Sequence, residues 1–209
     1  MSDWYRKKTW TKEDEEYFYQ KLKRAREYGR PQYLRIQAIT LIDTHENDLL
    51  DVAEILLNKI LEDYPENKLE RSSAFHSLGD IYKLHEDYAT AINYYKEAID
   101  FEKKFPNVRT MAYLDYSELI IKTNQENKYN AIEKLLKSKL LELVFPIEKY
   151  KVCSILSIIN KHNGKLTQAK EYAVLAEQYA NEQTSGFRYH KYLGVVKERD
   201  NWLDQLVID

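Results

Sequence analysis

The chain has 209 residues, of which 44% are apolar and 32% charged, and it contains only 5 glycines and 4 prolines. This balance is typical of a mostly helical, soluble protein. Strongly basic proteins attract nucleic acid and anionic membranes, so the formal net charge of −2 gives no general reason to expect either partner.

Residues 1–30 form a basic segment that is expected to contain an amino-terminal capping helix. Thr11 is suited to be the N-cap, because acidic residues follow in the first turn and basic residues occupy the last. The apolar side of this helix would comprise Tyr17, Phe18, Leu22 and Ala25. The stretches WYRKK and KLKRAREYGR also mix aromatic and basic residues as single-stranded nucleic-acid grooves do, but no nucleic-acid module motif accompanies them.

The charged start of the sequence and its single cysteine favour a cytoplasmic location. The start, MSDWYRKKTW, carries charges where a secretory signal needs an apolar stretch, and no segment approaches roughly 18 uninterrupted apolar residues. The single cysteine, Cys153, lies in the apolar run VCSILSII and is expected to be a buried, inert thiol. No membrane partner is expected.

The clearest pattern lies in FHSLGDIYKLHEDYATAINYYKEAI, residues 75–99. Apolar and small residues recur at i, i+3, i+4 and i+7, and the pattern resumes after a short turn, which predicts two antiparallel helices. A glycine in a helix interior costs about 1 kcal/mol against alanine, so we expect it where the two backbones approach closely. The predicted seam residues are Phe75, Leu78, Gly79, Tyr82, Ala91, Tyr95 and Ala98.

The order of these seam residues, followed by Pro106, resembles the signature of the tetratricopeptide repeat. The resemblance is strong over residues 72–106. It implies an all-α, right-handed solenoid of helical hairpins with capping helices at both ends.

Weaker copies surround the strong repeat. Candidate second-helix alanines occur at intervals of 38, 40 and 38 residues, which predicts four hairpins over residues 31–182. In the weaker copies Thr40, Ser117 and Ser157 stand where the strong repeat has Gly79. A turn is predicted at Asn163-Gly164, and residues 183–209 are expected to form a carboxy-terminal capping helix. The four alanines are Ala53, Ala91, Ala131 and Ala169.

No enzyme, cofactor or metal motif is present: the sequence has no H-E-x-x-H, paired cysteine, G-x-S-x-G or glycine-rich phosphate loop. The resemblance instead implies a concave surface that accepts a peptide or helix. Residues one helical step from the seam would line it. These candidate partner-binding residues are His76, Asp80, Lys83, Leu114, Glu118, Ile158 and Lys161.

Two structural alternatives stay open for that surface. Leu114, Ile121 and Ile158 could belong to the core between repeats, or the chain's own carboxy-terminal helix could occupy the groove. The mixed charges do not reproduce the basic clamp by which some tetratricopeptide domains hold a chaperone's carboxy terminus.

The leading functional hypothesis is a non-enzymatic scaffold or adaptor of bacterial type that binds a protein or peptide. The alternative is an immunity protein, or an effector or secretion chaperone, that masks a toxin or effector. An enzyme or a nucleic-acid-binding protein is disfavoured. Homo-oligomerisation stays open.

Overall fold

Helices account for all the regular secondary structure that the computed structural model describes, which covers residues 3–207. Within that range no strand is present, and no helix has the length and apolar character that crossing a bilayer requires. The chain forms two compact units, one ending at Ala112 and the other beginning at Tyr113. Short 3-10 turns occupy Glu27–Gly29 and Glu126–Lys128. The ten α-helices of the described range are α1 Lys12–Arg24, α2 Arg30–Ile42, α3 Asn47–Asp63, α4 Lys68–Leu84, α5 Tyr88–Lys104, α6 Ala112–Lys122, α7 Tyr129–Leu140, α8 Pro146–His162, α9 Leu166–Ala180 and α10 Asn201–Val207.

Helix α1 begins at a capping box. Thr11 is the N-cap, its hydroxyl accepts a hydrogen bond from the Asp14 backbone N–H, and the Asp14 carboxylate accepts one from the Thr11 N–H. The Asp14 carboxylate also accepts a 2.7 Å hydrogen bond from Lys7 Nζ. That hydrogen bond is the largest cause of the lowering of the pKa of Asp14 to about 2. Phe18 and Leu22 are buried on the inner side of the helix.

Aromatic residues of the amino-terminal segment pack into the first unit. The ring of Trp4 lies 5.4 Å from that of Phe18 and 4.9 Å from that of Tyr33, and Trp10 lies 5.3 Å from Phe18. The buried amide of Gln37 ties this segment to α2, because it donates to the Lys7 carbonyl at 2.6 Å and accepts from the Lys7 N–H at 2.9 Å. These rings therefore contribute to folding of the unit.

Gly79 in α4 faces the ring of Tyr95 in α5. A Cβ atom at Gly79 would overlap ring carbons Cδ1 and Cε1 of Tyr95 and would lie 3.0 Å from Cζ. The Tyr95 ring is fully buried, and its hydroxyl donates a 2.8 Å hydrogen bond to Asp80. Ala91 and Ala98 are also fully buried. The two helices thus approach closely where the glycine lies.

A residue with positive φ lies in the connection before each of the helices α3, α5, α7 and α9. These four residues lie 41, 38 and 40 positions apart, and each precedes the second helix of its hairpin. The residue seven positions before each turn residue is small and buried. In α8 this residue is Ser157, whose Oγ donates a 2.8 Å hydrogen bond to the Ala169 carbonyl. The turn residues are His45 (φ 60°), Glu86 (φ 59°), Asn124 (φ 53°) and Gly164 (φ 72°). The small residues are Ala38, Gly79, Ser117 and Ser157.

This turn-based register corrects the alanine-based one in two hairpins. Counting five residues beyond each turn gives Leu50 and Tyr129 in α3 and α7, and both are buried. Ala131 is exposed, so it does not lie on the inner face of α7. Thr40 is only half-buried, whereas Ala38 is fully buried. Ala53 is fully buried in α3, as expected of a second-helix alanine, but it lies three residues beyond the position equivalent to Ala91.

The hairpin helices pack side by side, α2 with α3, α4 with α5, and α8 with α9. Within the first unit α4 also packs against α2 and α3, and within the second α7 packs against α8. Lys139 of α7 lies 5.7 Å from the ring centre of Tyr113 in α6.

The predicted carboxy-terminal helix is much shorter than residues 183–209. Of residues 183–207, only Asn201–Val207 is helical, and residues 181–200 follow an irregular path. Gly186 and Gly194 adopt positive φ values of 79° and 72°, which an α-helix does not accommodate. The Gly194 carbonyl accepts a 2.8 Å hydrogen bond from Ile147 N–H at the start of α8, so this path returns to the hairpin.

Candidate functional site

The carboxy-terminal segment folds back onto α8 and holds α10 there. The Tyr150 hydroxyl donates a 2.8 Å hydrogen bond to Asp204 Oδ1 and accepts one of 3.2 Å from the Asp200 N–H. Leu203, between these two acidic residues, is fully buried. Burial and the hydrogen bond to Asp204 raise the pKa of Tyr150, so its hydroxyl stays a donor. The contact thus combines a polar and an apolar anchor.

Arg199 connects this segment to α9 as well. Its Nε lies 2.7 Å from Asp204 Oδ2, and its Nη1 and Nη2 lie 3.1 and 2.7 Å from the two carboxylate oxygens of Glu177. Such two-point pairing fixes the geometry of both groups. Hydrogen bonding from Arg199 is the main cause that lowers the pKa of Glu177.

Lys151 forms a second anchor beside Tyr150. Its Nζ lies 2.7 Å from Glu118 Oε1 of α6 and 3.1 Å from Asp200 Oδ2. Burial disfavours the charge of Lys151, but the two carboxylates outweigh that effect and raise its pKa above the ordinary value. The ammonium group is therefore a fixed positive charge under the carboxy-terminal segment.

Two cavities lie on the two sides of Leu203. One has a volume of about 510 Å³ and is lined by α8, α9 and the α10 residues Asp204 and Val207. The other has a volume of about 640 Å³ and is lined by α6, α7, α8 and the α10 residues Trp202 and Leu206. The 100° turn between successive helical residues accounts for this division of α10 into two faces.

The first cavity is lined by exposed apolar residues together with charged side chains. Leu166 and Val174 of α9 are 61% and 58% exposed although both line this surface. Lys161 and Lys170 also line it, while the acidic Glu177 and Asp204 in the same lining are both paired with Arg199, and Lys161 lines the second cavity as well. Apolar area next to lysines suits an amphipathic helix with acidic residues.

Four of the predicted partner-binding residues lie in this second unit. Ile158 and Lys161 are half-buried and line the cavities beside α10. Leu114 is buried in α6, and Glu118 is buried and paired with Lys151. Leu114 and Glu118 are therefore interior residues of the structure.

The other three predicted residues lie on α4 of the first unit, where all are half-buried. The Nε2 of His76 lies 3.9 Å from Asp80 Oδ1, and its ring centre lies 5.5 Å from that of Tyr95. Asp80 accepts the Tyr95 hydrogen bond described above. That these residues and Lys83 share one binding surface with Ile158 and Lys161 stays a prediction.

Cys153 is buried in α8, as its apolar surroundings predict. Burial raises the pKa of its thiol to about 12. Since the thiolate is the reactive form, burial disfavours reaction of this cysteine at neutral pH.

Sequence patterns did not single out Tyr150, Lys151, Arg199 or Asp204. The Tyr150–Asp204 pair spans 54 residues, and helical periodicity carries no information about such a contact. The charge cluster ERD before NWLDQL was the one local signal, because acidic residues commonly precede or open a helix.

Comparisons with protein-family models, curated proteins and solved structures give no match for this chain.

Proposed function

We propose that the protein is a non-enzymatic interaction module, a cytoplasmic scaffold or adaptor that binds a helix of a partner protein. The hairpins would continue into a right-handed solenoid of the tetratricopeptide type. Support for this arrangement comes from the recurrent turn residue and from the small residue seven positions before it.

One observation carries the functional proposal: the α8–α9 surface already binds helix α10, and cavities beside α10 leave part of this surface uncovered. Helix α10 packs on α8, and the linings of the two cavities beside it include apolar residues and lysines. Ile158 and Lys161 would contact the partner directly. A helical partner would bury its apolar side there, while the lysines would select acidic residues and speed association.

Site-specific photocrosslinking tests this proposal. Benzoylphenylalanine introduced in place of Val174 should capture one protein in cells of the source organism, and mass spectrometry would identify it. Ile55 on α3 is the matched control, because it is an aliphatic helix residue with a similar exposure of 62% against 58% for Val174. Equal capture from both positions, or none from Val174, would refute the proposed surface.

A further inference from the structure

We infer that α10 is a resident ligand of the α8 surface, and that the partner is a helix with an acidic–x–x–Leu–acidic pattern that displaces it. This inference rests on the proposed function and specifies the chemistry of the partner. The pattern is that of Asp200, Leu203 and Asp204, three of the residues through which the chain occupies its own site.

The α8 surface offers a complementary group for each element of the pattern. Lys151 faces the first acidic residue at 3.1 Å, and the Tyr150 hydroxyl faces the second at 2.8 Å. Between them lies the apolar site that buries Leu203 completely. If α10 departs, the Tyr150 donor loses its acceptor and Lys151 loses one of its two carboxylates. Polar groups left without partners at a buried site favour a ligand that restores the same hydrogen bonds.

Helix α10 is attached weakly enough to be displaced. It has 7 residues, whereas isolated helices shorter than about 12 residues are marginal in water. Leu203 is its one fully buried residue, and Leu206 is 44% exposed. The irregular residues before it would have to release the Arg199–Glu177 and Asp200–Lys151 pairs, but the departure of α10 requires no unfolding of α8 or α9. Short elements with little buried apolar surface open at low cost.

A partner helix could gain contacts that α10 does not make. The cavities of about 510 and 640 Å³ leave apolar surface uncovered on both sides of Leu203, including Leu166 and Val174. A longer helix with larger side chains would cover this surface. It would need that advantage, because a tethered segment competes at an effective concentration on the order of millimolar.

Peptide binding to the full chain tests the inference. The probe is a fluorescently labelled peptide with the sequence of residues 197–207, KERDNWLDQLV, followed by fluorescence anisotropy. The full-length Leu203→Ala variant, whose own α10 is loosened, should bind the peptide at least about tenfold more tightly than the wild-type chain. A control peptide in which Leu203 and Asp204 are both alanine should not bind. Asp204→Asn provides a milder second variant in case Leu203→Ala does not fold.

The outcomes separate this inference from the proposed function. If folded variants, checked by circular dichroism, bind the peptide no better than the wild-type chain, α10 is a structural cap and the inference is wrong. Capture from the Val174 position would then still support a partner-binding surface. Binding of the control peptide as tight as that of the native peptide would equally overturn the acidic–x–x–Leu–acidic pattern.

Discussion

The ring of Tyr95 fills the space that the absent side chain of Gly79 leaves between α4 and α5. The ring is buried and held by a hydrogen bond to Asp80, so it has little freedom to move away. A helical glycine is therefore retained at this position for packing.

Gly79→Ala should destabilise the protein although alanine is the better helix former. Steric overlap with Tyr95 should outweigh the propensity gain and lower the free energy of unfolding by about 1–3 kcal/mol. Urea denaturation measures this change. Gly29→Ala is the control, because its Cβ would lie 3.6 Å from Tyr33 Cε2, an ordinary contact. Equal effects of the two substitutions would contradict the account of the seam.

Substitutions at equivalent hairpin turns should have opposite effects on stability. Glu86 adopts φ 59° and Gly164 adopts φ 72°, a region where a Cβ atom costs roughly 1–2 kcal/mol. Glu86→Gly should raise the free energy of unfolding and Gly164→Ala should lower it, each by about 1 kcal/mol. Thermal and urea unfolding of both variants would test this, and changes of the same sign would be inconsistent with a shared turn.

Acid stability should depend on the capping carboxylate of α1. The pKa of Asp14 is lowered to about 2 from an ordinary 3.8, with the hydrogen bond from Lys7 as the largest cause. Because the folded-state pKa is the lower one, Asp14 stabilises the fold above about pH 4, and this contribution disappears as the pH falls toward 2.

Asp14→Asn should therefore lose less stability than the wild-type chain between pH 5 and pH 2.5, as measured by thermal unfolding. Asp51→Asn is a suitable control, because Asp51 is an exposed carboxylate on α3. Identical pH profiles for wild type and Asp14→Asn would show that the carboxylate does not stabilise the helix start.

Tyr150→Phe should loosen α10 without unfolding the second unit. The substitution removes the hydroxyl that donates to Asp204, a hydrogen bond to a charged group worth about 1.5 kcal/mol or more. Hydrogen exchange at residues 201–207 should accelerate about tenfold, while α8 and α9 keep their protection. Tyr189→Phe serves as the control, since Tyr189 is 81% exposed. Unchanged exchange in α10 would mean that this hydrogen bond does not hold it.

Local features of the fold were accessible from the sequence because they depend on neighbours along the helix. The Thr11 cap and the turn at Asn163–Gly164 follow from residue type and short spacing. The all-helical character follows from the apolar periodicity. The register of α7 could not be predicted in this way, because Tyr129 occupies the position where an alanine was expected.

The candidate site was accessible only in part. Ile158 and Lys161 were reached by counting one helical step from the seam, and they line the cavities. Glu118 was reached in the same way, but its pairing with Lys151 could not be foreseen, because the two residues lie on different helices. The return of the carboxy-terminal segment depends on Gly194 and Tyr150, whose contacts are long-range.

Binding of a partner at the α8–α9 surface is tested most directly by charge reversal on this surface. The measurement is the affinity of each variant for the partner identified by crosslinking. Lys161→Glu should weaken binding in isothermal titration calorimetry by about tenfold, because a half-buried cation that faces an acidic helix is replaced by a repulsive anion. The matched double variant Arg24→Glu/Arg26→Glu on the amino-terminal segment should bind like the wild type. Retained binding by Lys161→Glu, with loss in the Arg24/Arg26 variant, would contradict the claim and place the docking site on the amino-terminal basic segment.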